Sequence, residues 1–452
     1  MGDPSQVFKP YDVRGIVPAE LDERLCRAVG VAFARFSGAT RLIVARDMRR
    51  SSPELCRAFV EGATGEGASV TDLGLASTDM LYFASGRLDA PGAVFTASHN
   101  PAEYNGIKLC RAGARPVGQD SGLVELQRLT LDALEEGPSA ARPPGSVEHL
   151  DLLGEYATHV RSFVDEAALR PLRVVADVAN GMGGLVVPPV FAPLPVELEV
   201  LFPELDGSFP NHPADPIQEE NLADLRRRVL ETGADMGMAF DGDADRVFLI
   251  DDRAQPVSGS VTTALVARAM LERHPGATIL HNLICSRMVP EVITESGGKP
   301  VRTRVGHSFI KAVMADTGAV FGGEHSGHYY FQDNYRADSG LIAAVLVLEV
   351  VSKAGRPLSE LRRPLERYAA TGEINSRVED PEKVIEKVAA HFAPTAKEER
   401  LDGLSVDVGD WWFNLRPSNT EPLLRLNLEA VSEERRDAGA AEVLALIRGP
   451  RS

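Results

Sequence analysis

The sequence predicts an α/β protein of four units: three αβα domains with mixed, mostly parallel sheets, then a smaller C-terminal α+β domain. Three observations predict it. At 452 residues the chain is too long for one ordinary core. Apolar strand-like runs are followed by helical patterns, and that alternation starts afresh twice. After Pro364 the composition shifts, and two Leu-rich runs enclose a polar turn.

The first unit opens on Phe8-Lys9-Pro10-Tyr11-Asp12-Val13-Arg14-Gly15, read as irregular because Pro and Gly punctuate it. A helical pattern reaches about Phe36, and Leu42-Ile43-Val44-Ala45 is a strand ending in Arg46-Asp47. A second helix ends among Gly62, Gly65 and Gly67. The strand Ser69 to Gly74 and a helix reaching Ala84 follow, then the strand Ala93-Val94-Phe95. Glu136 to Pro144, with three prolines and a glycine nearby, reads as a linker. The alternation restarts at Leu172 to Ala176, with Asn180-Gly181-Met182-Gly183-Gly184 opening a helix, and again at Thr278 to His281. In the last unit Val378 to Ala390 has a helical pattern.

Charge and cysteines narrow the function. The balance of 48 basic against 65 acidic residues, net −17, speaks against a nucleic-acid or membrane-surface binder. An anionic substrate would therefore need a local basic site. Cys26, Cys56, Cys110 and Cys285 show no paired spacing and read as reduced thiols. The start lacks a basic-then-apolar signal, and the longest apolar run, Leu341 to Leu348, is too short to span a bilayer. The expected location is cytoplasmic.

Four polar loops carry the chemistry. In Thr96-Ala97-Ser98-His99-Asn100-Pro101 a strand delivers a serine to a turn, with His99 beside it and Lys108 ten residues on. On that stretch alone Ser98 is either a helix cap or a nucleophile. In Asp241-Gly242-Asp243-Ala244-Asp245-Arg246, carboxylates alternate with small residues between two apolar runs. Such carboxylates point to one side and repel unless a cation sits among them; oxygen ligands suit Mg²⁺ or Ca²⁺. An EF-hand would want glycine in place of Arg246 and glutamate in place of Asp252, so that reading fails. A solvated acidic turn is the plainer alternative.

Gly322-Gly323-Glu324-His325-Ser326-Gly327-His328 combines a carboxylate, a hydroxyl and two imidazoles, a set suited to sugar hydroxyls and proton transfer. Upstream, Gly306-His307-Ser308-Phe309-Ile310-Lys311 adds a histidine and a lysine; any one of these histidines alone would more often be structural. Arg416-Pro417-Ser418-Asn419-Thr420-Glu421-Pro422 offers the donor density a phosphate dianion needs, or is a plain Pro-bounded turn. No nucleophile elbow, phosphate loop or dinucleotide fingerprint is present.

In this order the four loops resemble those of the α-D-phosphohexomutase superfamily, its phosphomannomutase/phosphoglucomutase branch in particular. The stretches Asn180 to Gly184 and Asp206 to His212 are similar to further family segments. The resemblance spans essentially the whole chain and implies units 1–145, 146–252, 253–366 and 367–452 around a central cleft. These would carry the phosphoserine, metal, sugar-binding and phosphate-binding loops respectively. It implies that Ser98 carries a phosphoryl group, with Mg²⁺ held by Asp241, Asp243, Asp245 and that phosphate. A hexose 1-phosphate and its 6-phosphate would interconvert, with hexose 1,6-bisphosphate as intermediate and activator. Lys108, Arg246 and Arg14 would neutralise charge, as phosphoryl transfer requires. Arg416, Ser418, Asn419 and Thr420 would hold the distal phosphate, and Glu324 and Ser326 the sugar hydroxyls. His307, His328 and Lys108 are the acid–base candidates.

Asn419 favours the mannose/glucose branch, because phosphoglucosamine mutases, the alternative, usually have glycine there. A phosphosugar-binding protein that lost catalysis should show damage at Ser98 or the aspartates, and none is seen. A phosphatase using one loop aspartate as nucleophile leaves the Ser98 loop unexplained. The expected partner is a small phosphosugar substrate, with no nucleic acid and no membrane, and the expected assembly is a monomer or weak homodimer.

Overall fold

The computed structural model describes residues 3–136, 143–417 and 423–449. Three αβα units and a smaller α+β unit follow one another along the chain. Most of the predicted linker, residues 137–142, lies outside the described residues.

The first sheet has seven strands, in the order Val13–Ile16, Tyr104–Arg111, Gly92–Phe95, Arg41–Arg46, Ser69–Leu75 and Val147–His149, with Arg115–Pro116 beside Tyr104–Arg111. It is parallel on the side of Arg41–Arg46 and antiparallel on the side of Tyr104–Arg111. The opening stretch is thus not wholly irregular. Val13–Ile16 gains a ladder from Tyr104–Arg111, a pairing that Gly15 and the nearby Pro10 hide from local propensity. Helices match their sequence signals: Glu23–Ser37 starts where the Asp22 side chain accepts from the Leu25 N–H, and ends at left-handed Gly38.

The second sheet orders Pro256–Val257, Val247–Asp251, Met236–Phe240, Leu172–Asp177 and Val196–Leu201. The third orders Lys299–Thr303, Thr278–Asn282, Phe321–Gly323 and Tyr329–Phe331. Both again join a parallel part to an antiparallel edge. The C-terminal sheet of five strands is antiparallel throughout and packs on helices Pro381–Phe392 and Glu433–Arg448.

Loop position follows from this topology. The Ser98, Asp241–Arg246 and Glu324–His328 loops each join two neighbouring antiparallel strands, so each is the closed end of a hairpin. Pro417 and Leu423 end a fourth such pair; residues 418–422 between them lie outside the described residues.

One continuous apolar core runs through the first three units, from Ile43 and Val94 through Val174 and Phe240 to Ile279. The run Leu341 to Leu348 forms the centre of helix Gly340–Ala354 and is buried on every side, against helices Gly259–Arg273 and Leu153–Arg161. Its all-round apolarity is that of a core helix. Among the described residues no helix is long and apolar enough to cross a membrane. The C-terminal unit has its own core around Trp411, Phe413 and Phe392. All four cysteines are free and buried.

Candidate active site

No helix follows Ser98; the chain turns back into strand Tyr104–Arg111, so the helix-cap reading falls. Ser98 has φ +49, a left-handed conformation that a non-glycine residue adopts only where its surroundings hold it. Two neighbours do so. The Thr96 hydroxyl accepts from the Ser98 N–H at 3.0 Å. Arg49, fully buried, donates to the carbonyls of Ser98 (2.8 Å), Asn100 (2.7 Å), Pro101 (2.7 Å) and Tyr104 (3.0 Å). Asp47 balances its charge at 3.2 Å.

The aspartate loop meets this turn directly. Ser98 Oγ donates to Asp241 Oδ2 at 2.6 Å. Gly242 lies against the Ser98 backbone, where a Cβ would come within 2.3 Å of the carbonyl oxygen. Asp241, Asp243 and Asp245 are buried, which excludes a solvated acidic turn, and their ligating oxygens lie within 4.8 Å of one another. Arg246 Nε donates to Asp241 Oδ2 at 2.9 Å, and Lys108 Nζ to Asp243 Oδ2 and Asp245 Oδ2, each at 2.6 Å. The Thr78 hydroxyl adds a 2.6 Å bond to Asp243. Burial alone would raise the Asp243 carboxyl, but the Lys108 ammonium holds it well below the usual range. Asp241 is pushed up by burial, against the pull of Arg246. Lys108 stays charged because the two aspartates outweigh its desolvation.

These residues fit a divalent cation. Asp243 Oδ1 and Asp245 Oδ1 are buried and accept no hydrogen bond, and the donor set is all oxygen.

His99 does not bring positive charge. Burial, reinforced by Arg246 and Arg14, drives its pKa well below the ordinary value, and Arg246 Nη2 donates to its Nδ1 at 2.5 Å. Besides Arg49 beneath the turn, Arg246, Lys108 and Arg14 bring positive charge to Ser98. Arg14 donates to Asn100 Oδ1 at 2.5 Å and pairs with Asp12.

A cavity of about 280 Å³ opens on this centre. Ser98, Lys108, Arg246 and Arg14 line it, together with Lys9 and Tyr11 from the first unit and His328 and Asp338 from the third. His328 Nδ1 is 2.9 Å from Asp338 Oδ2 and 3.9 Å from Asp245 Oδ1. Burial opposes charge on this imidazole, but the two carboxylates raise its pKa.

The sugar-binding candidates sit differently. The Glu324 carboxylate is nearly fully buried and already accepts from the Tyr330 hydroxyl (2.6 Å), Asn282 Nδ2 (3.0 Å) and the Gly306 N–H (3.3 Å). Ser326 is half-buried on the same loop. His325, unplaced by sequence, turns its Nδ1 to the Ser260 hydroxyl at 3.3 Å, and burial lowers its pKa. Arg416 projects from the last sheet and pairs with Glu373 at 3.2 Å. Tyr11 connects the units: its hydroxyl donates to the Val305 carbonyl at 3.4 Å and feels the charges of Asp402, Glu324, Arg304 and Arg416. The side chain of His307, and all of Ser418, Asn419 and Thr420, lie outside the described residues.

Sequence reasoning missed Arg49, Thr78 and Tyr11 at this centre. A faint signal existed for Arg49: it lies in a polar stretch right after a parallel strand, where site residues gather.

The chain matches the models for phosphoglucomutase/phosphomannomutase alpha/beta/alpha domains I, II and III over residues 5–126, 154–255 and 258–368, and for the C-terminal domain over 373–446. It is 40% identical over 449 residues to a phosphomannomutase of Salmonella montevideo, covering 97% of this chain and 98% of that protein. Phosphohexose mutases of Xanthomonas campestris pv. campestris (strain B100) share 40% over 447 residues, 98% of this chain and 99% of theirs. A crystal structure of a phosphoglucomutase/phosphomannomutase family protein from Burkholderia thailandensis superposes with TM-score 0.90 at 32% identity, covering 100% of this chain and 99% of that one. The chain belongs to the phosphoglucomutase/phosphomannomutase family of phosphohexomutases.

Proposed function

We propose that the protein interconverts the 1- and 6-phosphates of mannose and glucose through a phosphoryl group carried on Ser98, with hexose 1,6-bisphosphate as intermediate and activator. The observation that carries this reading is the convergence of Ser98 Oγ, Asp241 and Arg246, with Lys108 on the two neighbouring aspartates, at the edge of one cavity. Asp241, Asp243, Asp245 and phosphorylated Ser98 would hold Mg²⁺. When bound, the ion neutralises charge on the transferring group.

The chain's own residues supply the rest. In transfer to substrate, a sugar hydroxyl oxygen bonds to phosphorus, the Ser98 Oγ–P bond breaks, and the hydroxyl proton leaves to a base. Lys108 is an unsuitable base because two aspartates hold it as an ammonium ion. His328, on the cavity wall, is the better placed acceptor. The released Ser98 oxygen takes up the proton equivalent that the base removed, so the base is restored, and Asp241 then accepts the Ser98 hydrogen bond as in the present structure. Return transfer from the other end of the bisphosphate restores phosphoserine. Arg14, Arg246 and Lys9 on the cavity wall give the local positive field that an anionic sugar needs in a chain of net charge −17.

Glu324 and Ser326 are assigned to the sugar hydroxyls; Glu324 is preset by Tyr330 and Asn282. Arg416, Ser418, Asn419 and Thr420 are assigned to the distal phosphate, and His307 to a supporting acid–base role. The units are divided near 145, 252 and 366, with strands Val147–His149 and Pro256–Val257 reaching past the first two boundaries to pair with the first and second sheets. The reading includes a cytoplasmic monomer or weak homodimer. Side-by-side assays with mannose 1-phosphate, glucose 1-phosphate and glucosamine 1-phosphate test the substrate assignment. The first two should turn over comparably and the third clearly less well; the highest kcat/KM on glucosamine 1-phosphate would overturn it.

A further inference from the structure

Behind His328 stand two charged side chains that the scheme above leaves unused. Asp338 follows a turn and forms an isolated bridge with Tyr330, next to strand Tyr329–Phe331. One of its oxygens, Oδ2, lies 2.9 Å from His328 Nδ1; the other, Oδ1, forms an ion pair with Lys311 Nζ at 2.8 Å whose angles fall short of a hydrogen bond. Lys311 comes from helix His307–Thr317 and is only 3% exposed. Its ammonium lies 3.9 Å from the ring centre of Tyr82, a residue of the first unit. The next residue along, Ser339, is pinned by its hydroxyl to Asp79 at 2.7 Å, and Asp79 also accepts from Tyr156 and Ser77 at 2.5 Å each.

A buried lysine–carboxylate pair is a poor way to gain stability, since desolvation offsets most of the attraction and apolar residues would pack there as well. What it does supply is direction. An ammonium has only donors and therefore claims an oxygen; a carboxylate facing an imidazole nitrogen makes that nitrogen the protonated one. We propose that Asp338 and Lys311 are positioning residues for His328: the carboxylate fixes the Nδ1–H tautomer, and the lysine fixes the carboxylate. Nε2, the nitrogen left with a lone pair, is then the one offered to the cavity that the ring lines. The catalytic consequence rests on the mutase reading; the tautomer does not.

The lysine makes the test sharp. In Asp338→Asn, Lys311 still claims the oxygen, so the amide NH₂ must face His328 Nδ1. The imidazole is forced into the Nε2–H form and loses its accepting nitrogen toward the cavity. Adding Lys311→Met frees the amide to turn its oxygen to Nδ1. The full-length protein labelled with ¹⁵N-histidine, examined by long-range ¹H–¹⁵N NMR above pH 8, should show His328 as Nδ1–H in the parent. Asp338→Asn should show Nε2–H, and the double variant a return toward Nδ1–H. With glucose 1-phosphate, Asp338→Asn should lose on the order of 10²–10⁴-fold in kcat with KM little changed. The double variant should recover about tenfold or more of that loss. An Nε2–H signal in the parent overturns the proposal even if no variant folds. So does Asp338→Asn with its tautomer or kcat unchanged, or a double variant no faster than the single. If the parent turns over no hexose phosphate, the mutase reading fails, while the NMR result still judges the tautomer.

Discussion

A single methyl group at Gly242 tests how tightly the serine and aspartate loops are spaced. In Gly242→Ala the new Cβ would sit 2.3 Å from the Ser98 carbonyl oxygen and 3.2 Å from its carbon. Carbon and oxygen in contact keep about 3.3 Å, so the turn must retreat by roughly 1 Å. A displacement of that size at a reacting centre lowers the rate about 10²-fold, equivalent to ~2.7 kcal/mol of activation energy. Overpacking itself costs about 1–3 kcal/mol, so the melting temperature should drop by several degrees while the fold survives. The assay is kcat with glucose 1-phosphate and hexose 1,6-bisphosphate, alongside a thermal melt. Gly154→Ala serves as control, because nothing lies within 4 Å of that position in helix Leu153–Arg161. Gly242→Ala with kcat within about threefold of the parent would refute the claim that loop spacing governs transfer.

Other expected outcomes are as follows. Ser98→Ala should abolish turnover at about 1 kcal/mol of stability, since Arg246 still bonds Asp241; intact-mass measurement should show one phosphoryl group on the parent and none on the variant, and an active variant would sink the mechanism. Chelation should stop turnover and Mg²⁺ restore it, and Asp243→Asn should weaken the dependence on the ion strongly; full activity in excess chelator refutes the site. His281 is pushed down to about 4 by burial, with Arg302 adding to the shift. Between pH 6.5 and 4 the unfolded chain therefore takes up a proton that the folded one refuses. Stability should fall by ~3 kcal/mol as pH drops across that window, and less steeply in His281→Asn. Equal slopes in urea titrations would contradict the assignment.

The site was legible wherever polar residues crowd a short stretch between apolar runs. Ser98 and the three aspartates declare themselves this way, and the structure sets Ser98 Oγ on Asp241 with the other two aspartates gathered around it. Arg49 does not declare itself: within Arg46-Asp47-Met48-Arg49-Arg50 an arginine looks like solvated surface, and its four acceptors lie some fifty residues on. Asp338 is hidden for the same reason, one ordinary charge until the fold pairs it with Lys311, which the sequence marks beside His307 without assigning it a partner. Strand direction was also partly hidden. An apolar run looks alike in a parallel or an antiparallel ladder, so the hairpin character of the three described loops emerged only with pairing. Val13–Ile16 went unread because its stability comes from a partner ninety residues away.

The four carbonyls gathered on Arg49 have an electrical corollary. Among the described residues only Val17-Pro18 is a cis peptide, so the peptides of the serine turn are trans, and all but Asn100-Pro101, which has no N–H, point C=O and N–H opposite ways. Turning the oxygens of Ser98, Asn100, Pro101 and Tyr104 inward to one guanidinium collects the negative poles of the turn around a buried cation. The positive poles are left on the far side. A dianion seated on Ser98 would otherwise face those oxygens as well as three aspartates. Arg49 thus acts as a hidden counter-electrode, tilting the backbone field in the anion's favour from a position sealed off from solvent.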